Sequence, residues 1–434
     1  MTEIRKYLEE HKKEMTDLLA ELVAVKSVQG EAENGYPFGR EPAKALEIML
    51  KSCENSGFAV ENVENYVGSA DFGESPELAV LSHLDVVPVG DDWSADPFIL
   101  RYDEKTDKLI GRGTIDDKGP AVASLFALKA VKELGIPLKK GVRLIFGTNE
   151  ENGSADLAYY RRKRELPKMV FTPDGEYPVI NGEKGMVRTR FSTLFTDGAI
   201  KAGTVINAVP NRCEFSVNVP LADGVKAYFG TVEGTAAHAS IPENGENAVT
   251  KFLSEIQECD GFNNDVLKTL SKLFPHGETD GKSLGICCED DISGKTTCVL
   301  SMLNTENGRI YGAVDVRFPI KCELFNIKEQ ICGKLRENGF HIDYCEGTEP
   351  HYTDGDSEFV KSLNKVYERV TGEKGGCICI GGGTYVHEID GGVAFGAEMP
   401  GKSGNMHGAE EFITLEGLLL NAEIMAEAVI EICG

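Results

Sequence analysis

Seven side chains in this sequence combine type and setting in a way that could do chemistry. They are His83 and Asp85 in SHLDVV, Asp116 in GTIDDKG, Glu150 and Glu151 in TNEEN, Asp174 in TPDG and His407 in NMHG. Imidazole and carboxylate donors without cysteine suit zinc, manganese or cobalt. Five such groups suffice for two ions if one carboxylate bridges, and co-catalytic ions sit roughly 3.5–4 Å apart. Asp85, two residues after His83, is placed to hydrogen-bond the free ring nitrogen and fix the imidazole's orientation. Adjacent glutamates allow one to ligate while the other faces metal-bound water. That water must lose a proton to attack a carbonyl, and a leaving amine must gain one. Taken singly, each residue has a plainer reading. An acid between a strand and a helix is commonly a cap or first-turn residue, and DDKG makes an ordinary turn. The joint setting is harder to dismiss, because two of only eight histidines fall where a strand ends.

The elements that must position these groups follow from hydrophobic patterning. Short apolar runs at 77–82, 142–148, 169–171 and 392–396 each lead into one of the candidate segments. Helical patterns follow at 120–134, 155–165 and 415–432, which is the alternation of an α/β layer fold. In an open α/β sheet ligands bind outside the carboxyl ends of the strands, so groups far apart in sequence are expected to converge there. Asp116 and Asp117 lie in a glycine-bounded loop just before a helix, whose N-terminus favours carboxylates. An amphipathic helix opens the chain, with Tyr7, Met15, Leu18, Leu19 and Leu22 on one stripe. From about 184 to 352 the pattern changes to alternating strands (VRTRFST, RCEFSVNVP, AVDVRFP) with helices at 248–258 and 325–338. The expected organisation is therefore a two-domain α/β protein. Its catalytic sheet, sandwiched by helices, is built discontinuously from 1–183 and 353–434, and 184–352 forms an inserted α+β domain.

Composition narrows the function classes. The 434 residues are 41% hydrophobic and 26% charged, which is a globular balance. Their length exceeds the roughly 250–300 residues that one core organises. Forty-five Lys and Arg against 70 Asp and Glu leave a net charge of −25, which disfavours nucleic acid and anionic membrane as partners. The first residues carry charge throughout and no apolar segment approaches a membrane span, so a cytoplasmic location is expected. The 12 cysteines are expected to be reduced, because they are spread thinly and lack closed zinc-site spacing. The glycine-rich loop at 381–384 has no following Lys-Ser/Thr pair and is not expected to bind a nucleotide.

The ordered set SHLDVVPVG with WSADPF, GRGTIDDKGP, TNEENGS, TPDGEYP and NMHGAEE resembles the M20 metallopeptidases, most closely the bacterial dipeptidase branch (PepV-like, Xaa-His dipeptidases). The resemblance spans nearly the whole chain. It implies that His83 and Asp174 hold one metal, Glu151 and His407 the other, and that Asp116 bridges them. Glu150 would be the general acid/base and Asp85 the orienter of His83. A cis peptide between Asp116 and Asp117 is also implied. Zinc is the first choice of metal, with manganese or cobalt as alternatives. The insert resembles the family's lid. Within it His238, in GTAAHASIPENGENA, would stabilise the oxyanion, while Asn207 in NAVP and Arg317 in DVRFP would bind substrate backbone and C-terminal carboxylate. The plainer reading of His238 is a surface-loop histidine, and that of Arg317 an exposed strand charge. One departure is His387 in GGGTYVH, where relatives commonly carry arginine; it bears on substrate preference near the second metal.

The implied function is hydrolysis of dipeptides with free amino and carboxyl ends by metal-activated water, with a small peptide as substrate and a monomer as the expected state. The enzymatic alternative is a deacylase, desuccinylase or carboxypeptidase acting on N-acyl amino acids. An alternative of another class is a non-catalytic amino-acid-binding or interaction protein on the same fold.

Overall fold

The computed structural model describes residues 2–221, 224–259 and 261–434. The chain divides into two compact units. One comprises Met1–Asn181, Thr353–Ile378 and Thr384–Gly434, the other Gly182–Tyr352 and Cys379–Gly383.

The first unit is built on a mixed sheet. Four neighbouring strands in it run parallel: Gly141–Gly147, Pro76–His83, Met169–Thr172 and Val393–Ala394, in that spatial order. Antiparallel strands Val67–Phe72 and Ala59–Val63 extend the sheet beyond Gly141–Gly147. The parallel strands are apolar on both faces, as burial between two helical layers requires. Along Pro76–His83, Leu78 and Val80 enter one core while Ala79 and Leu81 enter the opposite one. Leu144 and Ile145 split the same way on the neighbouring strand, which is the period-2 alternation of a strand. The larger core gathers helices Glu3–Val23, Arg40–Asn55, Lys118–Glu133, Glu358–Thr371 and Leu415–Cys433. The stripe Tyr7, Met15, Leu18, Leu19 and Leu22 is buried in it. Helix Ala155–Lys163 and the short turn of helix Tyr385–Glu388 cover the smaller core on the other face. Leu415–Cys433 is apolar nearly all round, and residues on most of its circumference are buried, as such a helix must be in water.

The second unit is a seven-stranded antiparallel sheet. Its outer pair is Arg212–Leu221 with Gly224–Glu233, and Thr297–Glu306, Arg309–Phe318 and Gly185–Leu194 form its middle. Helices Ala248–Glu255, Asp265–Leu273 and Leu324–Glu337 seal one face through Phe252, Leu270 and Ile331, and the other face exposes Phe229 and Tyr311. Asn247 and Asn264 cap the first two of these helices by accepting backbone N–H groups, which starts each helix at the residue after a side-chain acceptor.

The Sγ atoms of Cys288 and Cys322, 34 residues apart in sequence, lie against each other; the other ten cysteines are free. Tertiary contacts bring the two together. The hairpin of Glu289–Asp290 with Gly294–Lys295 is tied to the segment after Arg309–Phe318, where Lys321 N–H donates to Asp290 Oδ2 at 3.0 Å and Ile320 N–H to Ser293 Oγ at 2.9 Å. No helix among the described residues is long and apolar enough to cross a membrane.

Leu128 sits fully buried on helix Lys118–Glu133 within the core shared with Leu415–Cys433. Leu128→Ala is expected to lower unfolding free energy by about 2–5 kcal/mol, read from the denaturant midpoint. The same change at exposed Leu194 is expected to cost under about 0.5 kcal/mol.

Candidate active site

The ends of the four parallel strands supply the candidate groups. His83 is the last residue of Pro76–His83, Glu150 and Glu151 open a 3-10 turn three residues after Gly141–Gly147, and Asp174 follows Met169–Thr172 by two residues. His407 comes from the long loop after Val393–Ala394, and Asp116 lies just before helix Lys118–Glu133. The peptide Asp116–Asp117 is cis. His407 itself adopts φ of 61°, in the left-handed region that few non-glycine residues occupy.

Asp116 is the centre of the arrangement. Its Oδ1 lies 2.9 Å from His83 Nε2 and its Oδ2 2.8 Å from His407 Nε2, so one carboxylate faces both imidazoles. Asp174 Oδ2 is 3.7 Å from the same nitrogen of His83, and Glu151 Oε2 is 3.1 Å from that of His407. Among the described residues, two triads place one ligand atom each within 4.8 Å of one another: His83, Asp116 and Glu151, and His83, Glu150 and Asp174. The second triad counts Glu150 near His83, so proximity alone does not separate a ligating from a proton-handling glutamate. Asp85 is fully buried. Its backbone oxygen contacts His83 Nδ1 at 3.0 Å, nearer than its carboxylate at 3.5 Å. The carboxylate instead accepts the backbone N–H groups of Glu150 and Glu151 at 3.1 and 3.2 Å. Asp85 thus contacts both the histidine and the paired glutamates.

The electrostatics are those of a buried, crowded set of acids. Burial, and then the charge of Asp174, push the Glu150 carboxyl well above its usual range. Burial and Asp116 raise Asp174 to about 7 and also raise Glu151. Asp116 goes the other way: burial opposes its ionisation, but His407 and His83 together pull it well below the ordinary carboxylate range. Burial likewise opposes charge on the imidazoles, yet Asp116 and Asp85 raise His83 and Asp116 and Glu151 raise His407 to about 11. Protons on the imidazoles and acids therefore offset the charge that crowding creates, the part a cation would play. The residues fit such a cation. His83 Nε2 is buried without a hydrogen bond of acceptable geometry, although carboxylates crowd it, and the donors are all imidazole nitrogen or carboxylate oxygen.

Three further groups, read from sequence only as neighbours within the motifs, hold the site together. Asp117 Oδ2 accepts the His83 backbone N–H at 3.0 Å. Glu411 Oε1 accepts those of Ile115 and Asp116 at 3.0 and 3.3 Å, and its Oε2 is bound by Arg112 Nη1 at 2.6 Å. Arg112 Nη2 reaches the His407 carbonyl at 3.3 Å. Arg112 and Glu411 are both almost fully buried. Their presence inside GRGTIDD and NMHGAEE was the available signal, and their burial came only with the fold.

Asn207, His238 and Arg317 belong to the second unit. Ala208 pairs with His238 in a two-stranded ladder and the Ala239 N–H donates to the Asn207 carbonyl at 2.9 Å, so Asn207 and His238 are neighbours. His238 is exposed, with Nδ1 2.7 Å from Ser240 Oγ. Arg317 is buried, not the exposed strand charge of its plainer reading. Its Nε and Nη2 bind Asp315 at 2.6 and 3.1 Å and its Nη1 binds the Gly381 carbonyl at 2.8 Å, leaving one N–H on each terminal nitrogen. His387 lies half-buried in the turn Tyr385–Glu388 of the first unit.

Residues 79–431 match the model of Peptidase family M20/M25/M40. The chain is 34% identical over 449 residues to a Beta-Ala-Xaa dipeptidase of Lactobacillus delbrueckii subsp. lactis, covering 95% of each. In fold it is similar to human carnosine dipeptidase 1, with a TM-score of 0.65 at 15% identity over 99% of this chain and 98% of that one. The YXEP protein of Bacillus subtilis, a dinuclear metal-binding peptidase, is similar at a TM-score of 0.56 and 12% identity over 98% and 99%.

The proton inventory gives a test. At pH 7 the ion-free cluster holds a proton on His407, whose pKa is about 11, and a ligating imidazole must be neutral. Adding Zn2+ to chelator-treated protein in weak buffer is therefore expected to release protons, recorded with an indicator dye. His407→Ala is expected to release fewer per ion bound.

Proposed function

The chain belongs to peptidase family M20/M25/M40, and on that premise we propose that this M20-type metallopeptidase hydrolyses dipeptides carrying free amino and carboxyl ends. The observation that carries the reading is Asp116, one carboxylate facing His83 through one oxygen and His407 through the other. It supports His83 and Asp174 as ligands of one divalent ion and Glu151 and His407 as ligands of a second, with Asp116 shared. Zinc is the first candidate, and the donor set also accepts manganese or cobalt. When bound, the two ions would supply Lewis-acid polarisation of the scissile carbonyl and acidify a water for attack on it.

The chain's own residues do the rest. Glu150 stays outside the ligand set and moves the proton, taking it from the attacking water and delivering it to the leaving amine nitrogen. Its setting suits the task, because a carboxyl raised by burial and by Asp174 is a stronger base when ionised than an ordinary glutamate. Asp85 holds the Nδ1 edge of His83 so that Nε2 stays turned towards Asp116 and Asp174. In this reading His238 donates to the oxyanion as it forms. Asn207 takes the substrate backbone, and the two N–H groups that Arg317 has left take the substrate carboxylate. Asp315 and Gly381 fix that guanidinium in one rotamer, which lowers the entropy lost when it binds. The dipeptidase name of the 34% identical relative supports the substrate class.

Three measurements test the proposal. In a metal-supplemented panel of α-linked dipeptides, β-alanyl dipeptides and N-acyl amino acids, the expected substrates carry a free amino end; preference for N-acyl amino acids would overturn the dipeptidase reading. Glu150→Ala is expected to retain bound metal, by elemental analysis, while losing roughly 10²–10⁴ in kcat or more. His238→Ala is expected to lower kcat roughly 10²–10³-fold at unchanged metal content.

A further inference from the structure

The turn that carries Glu150 and Glu151 is held in an unusual way. Four consecutive backbone N–H groups are taken by two buried carboxylates. Glu150 and Glu151 donate to Asp85, whereas Thr148 and Asn149 donate to Asp156 Oδ2 at 2.6 and 2.9 Å. Asp156 stands in the first turn of helix Ala155–Lys163 and is fully buried. A first-turn aspartate ordinarily serves its own helix. Asp156 does so only through Oδ1, which accepts the Leu157 N–H at 2.6 Å. Its Oδ2 is spent on the end of the neighbouring strand.

A third donor locks that oxygen. The Tyr385 hydroxyl donates to Asp156 Oδ2 at 2.5 Å, from a chain position far downstream in the GGGTYVHE run. Tyr385 is almost fully buried among Leu81, Ile145 and Val386, and its ring meets His83 edge-on with centroids 6.2 Å apart. The strand makes room for the pair: a methyl group on Gly147 would overlap both Tyr385 Oη and Asp156 Oδ2. Gly147 in turn accepts the Leu84 N–H at 3.0 Å, next to His83. One hydroxyl–carboxylate pair thus lies against two of the four strand ends that deliver site residues, those of Pro76–His83 and Gly141–Gly147.

We propose that Asp156 and Tyr385 are positioning residues that act as one unit on the 148–151 turn, setting where Glu150 and Glu151 point. The inference rests on the dipeptidase reading above for its kinetic consequence but not for its structural one. Both side chains are closed off from solvent. Their effect comes through Glu150, and small displacements of a proton-transfer group are costly in rate.

The test uses the full-length protein with its metal. Tyr385→Phe removes one hydroxyl and keeps the ring that fills the core. Amide hydrogen exchange at 148–151, measured without substrate, is expected to rise in this variant while the helix Leu415–Cys433 is unchanged; unaltered exchange at 148–151 overturns the proposal whatever the enzyme's substrate. On a dipeptide the wild type cleaves, kcat is expected to fall roughly 10–100-fold with KM within about twofold and metal stoichiometry intact. An unchanged kcat, or a loss that follows metal loss, overturns it. Asp156→Asn keeps an acceptor oxygen for the two amides and is expected to retain more kcat than Asp156→Ala, and Tyr385→Phe combined with Asp156→Asn is expected to be no slower than the slower single variant. Losses that multiply would mean the two do not act together. Should Asp156→Ala fail to fold, Tyr385→Phe and Asp156→Asn still decide the matter. A wild type that cleaves no dipeptide would end the functional reading and leave the exchange result to stand alone.

Discussion

Mutual repulsion among carboxylates gathered at the ends of parallel strands is the constraint that organises this molecule. Asp85, Asp116, Asp117, Glu150, Glu151 and Asp174 lie in a space where water screens little, and burial raises the cost of each charge. Counterparts for the cluster's oxygens lower that cost, although Asp117 Oδ1 is buried without a hydrogen bond. Two imidazoles supply some of these counterparts, through Asp116. Backbone N–H groups supply more: those of Glu150 and Glu151 at Asp85, of His83 at Asp117, and of Ile115 and Asp116 at Glu411. The loops are therefore cross-tied by the acids that crowd them. A divalent cation pair fits the demand that remains.

The fold meets this constraint through strand direction. Four parallel neighbours put four chain segments at one edge, and helices on both faces keep the strands apolar up to the point where the polar residues begin. Charge can then be concentrated at the edge without placing polar groups inside either core. Arg112, buried against Glu411 and bonded to the His407 carbonyl, supplies a fixed positive charge that holds the His407 loop to the Asp116 loop.

Much of this could be read before any coordinates. The apolar runs ending in HLD, TNEE and TPD lie at the strand ends, because a short buried run with a polar stop is nearly sufficient to mark a parallel strand in an α/β unit. The helices at 118–133 and 415–433 were legible for the same reason, long and strongly patterned segments being the most local of signals. The closeness of Cys288 to Cys322 was not legible, since it depends on a hairpin folding back onto a distant strand end. Nor was the burial of Arg317, because a strand residue's exposure depends on what packs over it, and Asp315 on the same strand accepts its guanidinium.

Residue type and order along the chain determined which donors were available, their lack of thiolate, and the α/β pattern that sends them to one edge. Only the tertiary structure decided that one carboxylate, Asp116, sits between two histidines, that Asp85 holds amides as well as an imidazole, and that Asp156, Tyr385, Arg112 and Glu411 brace the loops. The physical reason is range. Hydrophobic periodicity and turn chemistry act over a few residues, whereas a hydrogen bond between Tyr385 and Asp156 exists only once the whole sheet has formed.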